Sequence, residues 1–335
     1  MALDVLLIGG SGLMGEPIAR HLIAAGHRVT VLSRGHAALP AGVAALHGDR
    51  TDGDSLSAAL RGQRFDFTVD LLAFDAADVE RLLLLPNAVL GRYAMISSGQ
   101  VYLVTQTPRP PFREEDAEAP LMAEPLVGTR DHGEWAYGVG KRRAEAALRR
   151  LRASHGVRGI ALRLPVVQGA GDIHSRRLWA YLERLLDGGG VLLPDGGENL
   201  LRFVWAEDVA RAVVQLVDGP EPAQAVYNLA QPRDVSLRDL VMACAESLGV
   251  AVRLVPAPAA WLAERGFDHT LSPYSGRWCS RPDPARAAAW GFAGTPWQEW
   301  LPLVVQAHRA GPVWPSHPGY ARRADERRAI SELGG

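Results

Sequence analysis

The stretch Val5-Leu-Leu-Ile-Gly-Gly-Ser-Gly12-Leu-Met-Gly15 joins a short apolar run to a segment with helical spacing. The apolar run predicts a buried parallel strand, because a strand covered on both faces is continuously hydrophobic. Residues 15–25 predict a helix that ends at Gly26. Glycines in the pattern G-x-x-G-x-x-G between the two let the backbone turn tightly and approach a pyrophosphate at the helix N-terminus. A plain tight turn is the alternative interpretation.

The alternation of strand and helix continues beyond this stretch. We predict further strands at residues 28–32, 43–46, 65–72, 92–97 and 159–165. Helices are predicted near 55–60 and 76–85, and a further helix carries Tyr137 and Lys141 and runs to about residue 154. This order is typical of a doubly wound parallel sheet, so the predicted fold class is α/β of the Rossmann type. Residues 104–125 are rich in Pro and Glu without periodicity, which predicts a long loop that is functional or mobile.

After residue 170 the pattern becomes mixed. Helices are predicted near 176–186, 208–217 and 236–248, and a strand at 225–229. We therefore predict a dinucleotide-binding domain at residues 1–170, to which parts of 200–230 return. Residues 171–320 are predicted to form mostly a smaller, substrate-binding lobe.

The composition excludes several classes of function. A net charge of −1 provides no basic field for nucleic acid or a membrane surface. The two cysteines form no disulfide framework, and the ten histidines show no metal-ligand spacing, so no metal is predicted. The N-terminus lacks a basic leader and its apolar run is too short to span a bilayer, so a cytoplasmic protein is expected.

One lysine stands out among the cations. Lys141 is the only lysine in 335 residues, and every other member of the 36 Lys and Arg is arginine. A lone lysine indicates a task for a compact ammonium, such as lying beside a titrating group. Tyr137 precedes it by four residues, so on a helix the phenol and the ammonium can meet. The alternative is an exposed pair without a task.

The end of the second predicted strand bears on cofactor choice. A site specific for NAD would place Asp or Glu there, on the ribose 2′-hydroxyl. This chain has Ser33 and Arg34, with His36 close by. A hydroxyl and a guanidinium suit a 2′-phosphate, which a carboxylate would repel. NADP(H) is therefore favoured, and NAD(H) is the alternative. The competing explanation for Arg34 is an ordinary solvated loop arginine that contacts no cofactor.

These features, together with several further motifs, carry a resemblance over about residues 3 to 235. The motifs are the glycine turn, Gly48-Asp49, Ser97-Ser98-Gly-Gln-Val-Tyr102, Tyr137-x-x-x-Lys141, Arg163-Leu-Pro165 and Arg202-Phe-Val-Trp-Ala-Glu-Asp208. In this order they resemble the extended short-chain dehydrogenase/reductases, the NAD(P)-dependent epimerase/dehydratase group. Gly48-Asp49-Arg50 and Ser98-Gly-Gln-Val-Tyr102 are most similar to its chloroplast stem-loop-binding-like branch.

The resemblance implies roles for particular residues. Tyr137 would be the general acid/base at a substrate hydroxyl or carbonyl, and Lys141 would lower the phenol's pKa and hold the nicotinamide ribose. Ser98 would hydrogen-bond the reacting oxygen, although a simple strand-end hydroxyl is the alternative. Asp49 would hold the adenine amino group. The predicted cofactor-binding residues are Gly9, Gly12, Leu13, Met14, Gly15, Ser33, Arg34, Asp49, Arg50, Leu72, Ala73, Tyr137, Lys141 and Pro165.

Departures from the family pattern narrow the reaction. The family's sugar dehydratases carry an Asp-Glu pair after the catalytic Ser/Thr and its decarboxylases carry a Glu, whereas this chain has Gly99-Gln100. An amide cannot transfer a proton as a carboxylic acid does, so dehydration and decarboxylation by those routes are disfavoured. Val166 stands where sugar-nucleotide epimerases usually have an Asn. Near Arg202, the arginine that the family pattern expects to hold a substrate diphosphate is shifted by one position. A nucleotide-sugar substrate is therefore disfavoured too.

Three functions remain open from the sequence. The first is an oxidoreductase that transfers hydride at a secondary alcohol or ketone of a sugar-like or polyhydroxylated small molecule. The second is a nucleotide-sugar 4-epimerase with tightly bound NAD(P). The third is a non-catalytic dinucleotide- or RNA-binding scaffold, although the basic stripe at Arg142, Arg143, Arg149, Arg150 and Arg152 lacks the interleaved aromatics of an RNA site. The resemblance also implies a homodimer.

Overall fold

A computed structural model describes residues 1–35, 38–170, 172, 175–311 and 315–334. Over these residues the chain divides into two compact units. Unit 1 comprises Met1–Val167, Val204–Ala230 and Ser280–Gly294, and unit 2 comprises Gln168–Phe203, Gln231–Cys279 and Thr295–Gly335. Residues 280–294 were predicted to belong to the C-terminal lobe, whereas in the structure they are part of unit 1. No helix of the described residues is long and apolar enough to cross a membrane.

Thirteen strands occur among the described residues. They are β1 (Asp4–Ile8), β2 (Arg28–Ser33), β3 (Ala44–His47), β4 (Phe67–Asp70), β5 (Arg92–Ser98), β6 (Gly159–Leu164), β7 (Val166–Gln168), β8 (Val191–Pro194), β9 (Leu200–Leu201), β10 (Phe203–Trp205), β11 (Val226–Asn228), β12 (Val235–Ser236) and β13 (Leu254–Ala257).

Twelve α-helices accompany them in the same part of the chain. They are α1 (Gly15–Ala24), α2 (Gly53–Leu60), α3 (Ala76–Leu83), α4 (Gln100–Leu103), α5 (Arg130–His155), α6 (Trp179–Leu186), α7 (Ala206–Asp218), α8 (Leu237–Leu248), α9 (Ala259–Glu264), α10 (Ala285–Trp290), α11 (Trp297–Ala310) and α12 (Arg323–Leu333).

The predicted Rossmann-type sheet is confirmed in unit 1. Seven strands pair in the order β11-β6-β5-β4-β1-β2-β3, and every pair is parallel. The chain order reverses between β1 and β4, since β2 and β3 lie on one side of β1 and the later strands on the other. In open α/β sheets, ligands bind at such a switch point, outside the carboxyl ends of the strands.

Helices cover both faces of this sheet because successive strand residues point to opposite sides. On β1, Val5 and Leu7 share a buried cluster with side chains of α1 and α7, such as Ile18 and Val209. Leu6, on the same strand, faces the opposite cluster with side chains of α2, α3 and α5. Burial on both faces explains why these strands are continuous apolar runs in the sequence.

The predicted loop at residues 104–125 lies mostly outside regular structure but is anchored at its middle. It contains a 3₁₀ helix at Glu114–Glu118. The Phe112 ring stacks on Tyr102 with centroids 4.9 Å apart, and the Glu114 carboxylate accepts a hydrogen bond from the Asn228 backbone N–H at 2.9 Å. The segment 280–294 joins it, because the Phe112 N–H donates to the Arg281 carbonyl at 2.9 Å.

Unit 2 is a smaller assembly with its own core. β8 pairs with β13 in parallel, and β9 pairs with β12 antiparallel. Helix α8 begins as predicted, since the Ser236 hydroxyl accepts a hydrogen bond from the Asp239 N–H at 3.0 Å. Arg184 and Glu326, both fully buried, form an ion pair at 2.9 Å between α6 and α12. The substrate-binding role assigned to this lobe stays a prediction.

Candidate functional site

The glycine turn after β1 is shaped as a cradle. Gly9 has φ +96°, a left-handed conformation that favours glycine. A Cβ at Gly10 would lie 2.4 Å from Val31, and one at Gly15 would lie 2.2 Å from the Gly9 carbonyl oxygen. At Gly12, by contrast, a Cβ would meet nothing within 4 Å. Three glycines therefore allow the turn itself, whereas Gly12 leaves its outer surface open to a ligand.

Helix α1 begins directly after this turn. Its N-cap residue, Met14, makes no side-chain capping hydrogen bond. Amide N–H groups at a helix N-terminus carry partial positive charge and suit an anion such as a pyrophosphate. The open surface at Gly12 and this helix N-terminus together fit the phosphates of a dinucleotide.

Two glycine substitutions distinguish a role in forming the turn from a role in binding the dinucleotide. Gly12→Ala is expected to leave the melting temperature of the free protein nearly unchanged, because its Cβ meets nothing, yet to weaken dinucleotide binding by about 10-fold or more through a clash with the phosphates. Gly15→Ala should destabilise the free protein itself by about 1–3 kcal/mol. Thermal unfolding with and without dinucleotide measures both effects. Undiminished binding by Gly12→Ala would contradict the phosphate assignment.

The carboxyl end of β4 is held by a buried polar network around Asp70. The Asp70 carboxylate accepts hydrogen bonds from the Arg50 guanidinium at 2.5 Å, the Tyr93 hydroxyl at 3.0 Å and the Leu72 N–H at 2.9 Å. Arg50 also donates to the Asp78 carbonyl. The Arg50 side chain thus points into the interior, which assigns it to supporting the predicted cofactor loop at Leu72 and Ala73. Leu72 in turn packs near Gly9.

The carboxyl end of β2 brings together the residues predicted at the adenosine end. Arg34 is exposed, and the Ser33 hydroxyl accepts a hydrogen bond from the Gly35 N–H at 3.3 Å. Hydrogen bonds from Thr51, with a smaller contribution from the charge of Arg34, lower the pKa of the Asp49 carboxyl. Arg34 and Asp49 therefore lie close enough to interact. His36 lies outside the described residues.

Helix α5 presents the predicted catalytic pair. Thr129 caps its start by accepting a hydrogen bond from the His132 N–H, and Gly156, at φ +64°, ends it. Tyr137 is 39% exposed, whereas Lys141, one turn later, is 2% exposed. The Lys141 Nζ lies 5.8 Å from the centre of the Tyr137 ring. The phenol thus reaches the surface of the site while the ammonium lies beneath it.

The position of Lys141 is set by several contacts. Its Nζ donates to the carbonyl oxygens of Ala73 and Ile96, each at 2.8 Å. It also lies 4.7 Å from the centre of the Phe74 ring, a cation–π distance. Burial lowers the pKa of Lys141 to about 8, against the opposing effect of the Asp70 and Glu145 charges. This ammonium is therefore fixed at the carboxyl ends of β4 and β5.

Ser98 ends β5, the strand next to β4. Its Oγ accepts a hydrogen bond from the Gln100 N–H at 3.2 Å, so its own hydrogen can be donated elsewhere. A Cβ at Gly99 would lie 2.1 Å from the Ser280 Oγ. The aspartate that dehydratases carry at this position could not be accommodated without moving Ser280. Pro165 is buried after β6, whose Leu164 carbonyl accepts from the Gly99 N–H at 2.7 Å.

Beneath these residues a buried ion pair joins α5 to the sheet. The Arg163 guanidinium donates to both oxygens of Glu145, to the Tyr102 hydroxyl at 3.0 Å and to the Glu114 carbonyl at 2.6 Å. Ser97 donates to the same Glu145 carboxylate. The Arg163 motif of the sequence therefore connects α5, β5, β6 and the anchored loop.

Sequence reasoning missed four residues that the geometry adds to this region: Gly10, Phe74, Glu134 and Ser280. Two consecutive glycines and an aromatic after Ala73 were visible signals for the first two. Ser280 had none, because it follows Gly99 by some 180 positions in the chain. Glu134 could have been noticed as a carboxylate one helical turn before Tyr137.

A profile of the NAD dependent epimerase/dehydratase family matches residues 5–230, which include all of these motifs. The chain belongs to this family. The family resemblance expected from the motifs is thereby confirmed, and the protein is an NAD(P)-dependent enzyme of the short-chain dehydrogenase/reductase type.

Relatives include a reductase and a stem-loop-binding protein. The chain is 28% identical over 281 residues to 2′-dehydrokanamycin reductase of Streptomyces kanamyceticus, a match that covers 82% of this chain and 75% of the relative. It is 25% identical over 261 residues to chloroplast stem-loop binding protein of 41 kDa b of Arabidopsis thaliana, covering 73% of this chain and 63% of that protein.

Solved structures share the fold. UDP-glucose 4-epimerase of Thermus thermophilus, in complex with NAD, matches with a TM-score of 0.64 and 22% identity, over 92% of this chain and 100% of the other. At this identity the likeness establishes the architecture alone.

Proposed function

We propose that this enzyme transfers hydride between NADP(H) and a secondary alcohol or ketone of a sugar-like or polyhydroxylated small molecule. The observation that carries the proposal is the fixed Lys141 ammonium beneath the exposed Tyr137 phenol, held by the carbonyls of Ala73 and Ile96. A positive charge beside a phenol favours its ionised form, as an acid/base group requires. The reductase among the relatives supports net reduction over epimerisation.

In this proposal each residue has one task at the reacting oxygen. The nicotinamide, when bound, supplies or accepts the hydride. Tyr137 exchanges the proton of the substrate oxygen, and Ser98 donates a hydrogen bond to it, because the Gln100 N–H already occupies the Ser98 oxygen. Lys141 holds the charge that favours the Tyr137 phenolate. The Gly12 surface and the start of α1 hold the phosphates, and Asp49 and Arg34 the adenosine end.

Co-purified nucleotide and thermal unfolding test this proposal together. The protein should be stabilised by NADP+ or NADPH, by roughly 2.7 kcal/mol at 100 times the dissociation constant, and should carry no bound nucleotide after purification. With NADPH and polyhydroxylated ketones, A340 should fall. Tightly held NAD with no net change in A340 would instead indicate a nucleotide-sugar 4-epimerase.

The non-catalytic, RNA-binding alternative is disfavoured because arginines of the basic stripe on α5 form ion pairs with carboxylates. Arg143 pairs with Asp75, and Arg150 pairs with Glu80. Arg149 pairs with Glu118 at 2.9 Å. These pairs reduce the positive charge that an RNA backbone would need. A homodimer stays a prediction.

The cofactor preference can be tested at Arg34. Arg34→Glu is expected to weaken NADP+ binding by about 10- to 100-fold and to change NAD+ binding little, because a carboxylate repels the 2′-phosphate and accepts from a 2′-hydroxyl. Titration by tryptophan fluorescence measures both. Arg61→Glu, at the exposed end of α2, is the control and should change neither. Equal losses for both dinucleotides would contradict a 2′-phosphate contact.

The pKa of Lys141 predicts a pH dependence. Because burial lowers that pKa to about 8, the side chain is charged below this pH and neutral above it. The kcat/KM for reduction should therefore fall as pH rises above about 8, since the neutral amine no longer favours the phenolate or holds the ribose. Lys141→Met should have low activity without this decline. A wild-type profile flat to about pH 9.5 would contradict the assignment.

A further inference from the structure

An exposed aromatic ring lies against the ammonium of the proposed site and has no task in the mechanism above. Phe74 follows Ala73 in the loop after β4 and is 47% exposed. The Lys141 Nζ lies over this ring, 4.7 Å from its centre. The Tyr137 ring lies on the same surface, with its centroid 6.2 Å from that of Phe74. One ring therefore adjoins both members of the proposed catalytic pair.

The backbone of Phe74 is fixed from two sides. The Asp78 carboxylate, in the first turn of α3, accepts hydrogen bonds from the N–H groups of Phe74 at 2.9 Å and Asp75 at 3.1 Å. On the other side, a Cβ at Gly140 would lie 2.6 Å from the Phe74 carbonyl oxygen, so this glycine lets α5 approach the loop just before Lys141. The position of the ring over the ammonium is therefore set by α3 and α5.

The charged groups around the Lys141 ammonium have partners of their own. Those that act on its pKa are Asp70, Glu145, Arg50 and Asp78, and the Tyr137 phenol lies one helical turn away. Each carboxylate among them already faces an arginine, in the pairs Asp70–Arg50 at 2.5 Å, Glu145–Arg163 at 2.6 Å and Asp78–Arg81 at 3.5 Å. These carboxylates therefore offset only part of the cost of burying the ammonium, and its direct contacts decide how well the charge is tolerated.

The Phe74 ring stabilises the ammonium without taking a hydrogen bond from it. The face of an aromatic ring attracts a cation within about 6 Å of its centre, most strongly where water is excluded. Lys141 is 2% exposed, and two of its three N–H groups are donated to the carbonyls of Ala73 and Ile96. A ring leaves the third N–H for the ribose, whereas a carboxylate at position 74 would accept it in an ion pair.

We propose that Phe74 is a positioning residue for hydride transfer, whose ring keeps the buried Lys141 ammonium charged beneath Tyr137. The ring exchanges no proton itself and acts through Lys141. Because the lysine is charged only below its pKa, a ring that favours the charged form extends the active range of the enzyme toward alkaline pH. This inference rests on the proposed function and deepens it.

Lys141 can be titrated directly because it is the only lysine in the chain. Protein labelled with ¹³C at lysine Cε gives one NMR signal, and its change with pH reports the pKa of Lys141. The midpoint, about 8 in the wild type, should fall by about 0.5–1.5 pH units in Phe74→Leu, which removes the ring but keeps an apolar cover. Phe74→Tyr, which keeps a ring, should retain the wild-type midpoint.

A second phenylalanine provides the matched control. Phe267 lies under the Arg322 guanidinium, 4.6 Å from its ring centre, so Phe267→Leu removes a cation–π contact that does not involve the lysine. This variant should keep the wild-type midpoint. In Phe74→Leu the alkaline decline of kcat/KM should move to lower pH by the same amount as the midpoint, while kcat/KM well below the midpoint stays within a few-fold of the wild type.

The direction of the change decides the inference. A midpoint that rises in Phe74→Leu would overturn it, because the ring would then only exclude water from the ammonium. An unchanged midpoint, equal falls in Phe74→Leu and Phe74→Tyr, or a fall without a matching move in kcat/KM would also overturn it. Failure of the proposed function is seen separately, as absence of stabilisation by dinucleotides and of any change in A340, since the titration needs neither dinucleotide nor substrate.

Discussion

Tyr137→Phe is expected to lower kcat/KM by about 10³-fold or more while leaving dinucleotide binding within a few-fold of the wild type. Proton transfer by a positioned acid/base contributes about 10²- to 10⁴-fold, and the phenol is the exposed partner of the fixed Lys141 ammonium. The ring remains in the variant, so its packing with Phe74, whose centroid is 6.2 Å away, is retained. Initial rates at A340 and dinucleotide titration measure the two quantities.

The control for this substitution is a tyrosine in unit 2. Tyr320 donates a hydrogen bond to Asp187 at 2.8 Å, far along the chain from the proposed site. Tyr320→Phe should keep kcat/KM within a few-fold, although its stability falls by about 1 kcal/mol. If Tyr137→Phe retained most of its activity, Tyr137 would not be the acid/base, and another group near Ser98 would have to exchange the proton.

Arg163→Leu is expected to lower the free energy of unfolding of unit 1 by about 3–5 kcal/mol, because it leaves the buried Glu145 carboxylate without its charged partner, with only the Ser97 hydroxyl still donating to it. The guanidinium and the carboxylate are 3% and 8% exposed, and the same guanidinium also donates to Tyr102 and the Glu114 carbonyl. Urea unfolding followed by circular dichroism measures the change.

An exposed ion pair between α5 and α3 provides the comparison. Arg150 and Glu80 are paired but have side chains 58% and 38% exposed. Arg150→Leu should change the unfolding free energy by less than about 1 kcal/mol, since water screens such pairs. The double variant Arg163→Leu with Glu145→Leu should recover part of the loss, because both charges are removed. Equal effects of Arg163→Leu and Arg150→Leu would contradict a structural role for the buried pair.

Much of the fold could be predicted because its signals are local. Three such signals are the apolar run before Gly9, the helical spacing after Gly15 and the cap at Ser236. Each involves neighbouring residues only, so it can be recognised from the sequence alone. Strand ends were less accurate: β4 spans Phe67–Asp70 where residues 65–72 were predicted. Helix α6 begins at Trp179 rather than at 176. Boundaries depend on packing and hydrogen bonds that periodicity does not report.

The candidate site was predicted in part. Ser98, Tyr137 and Lys141 were identified by motif, and the structure places them on β5 and α5, with Lys141 buried at the ends of β4 and β5. Arg50 was predicted to bind cofactor, but its guanidinium is directed to the buried Asp70. A motif gives the position of a side chain along the chain, whereas neighbours distant in sequence decide its direction.

The sequence by itself determined the family, the parallel α/β fold and the order of the motifs, because strand and helix periods and turn glycines are properties of short segments. Only the tertiary structure decided that Glu134 contacts Gln100 and that Ser280 fills the space beside Gly99. Both contacts join residues far apart in the chain, and they exist because packing of helices and loops against the sheet brings those residues together.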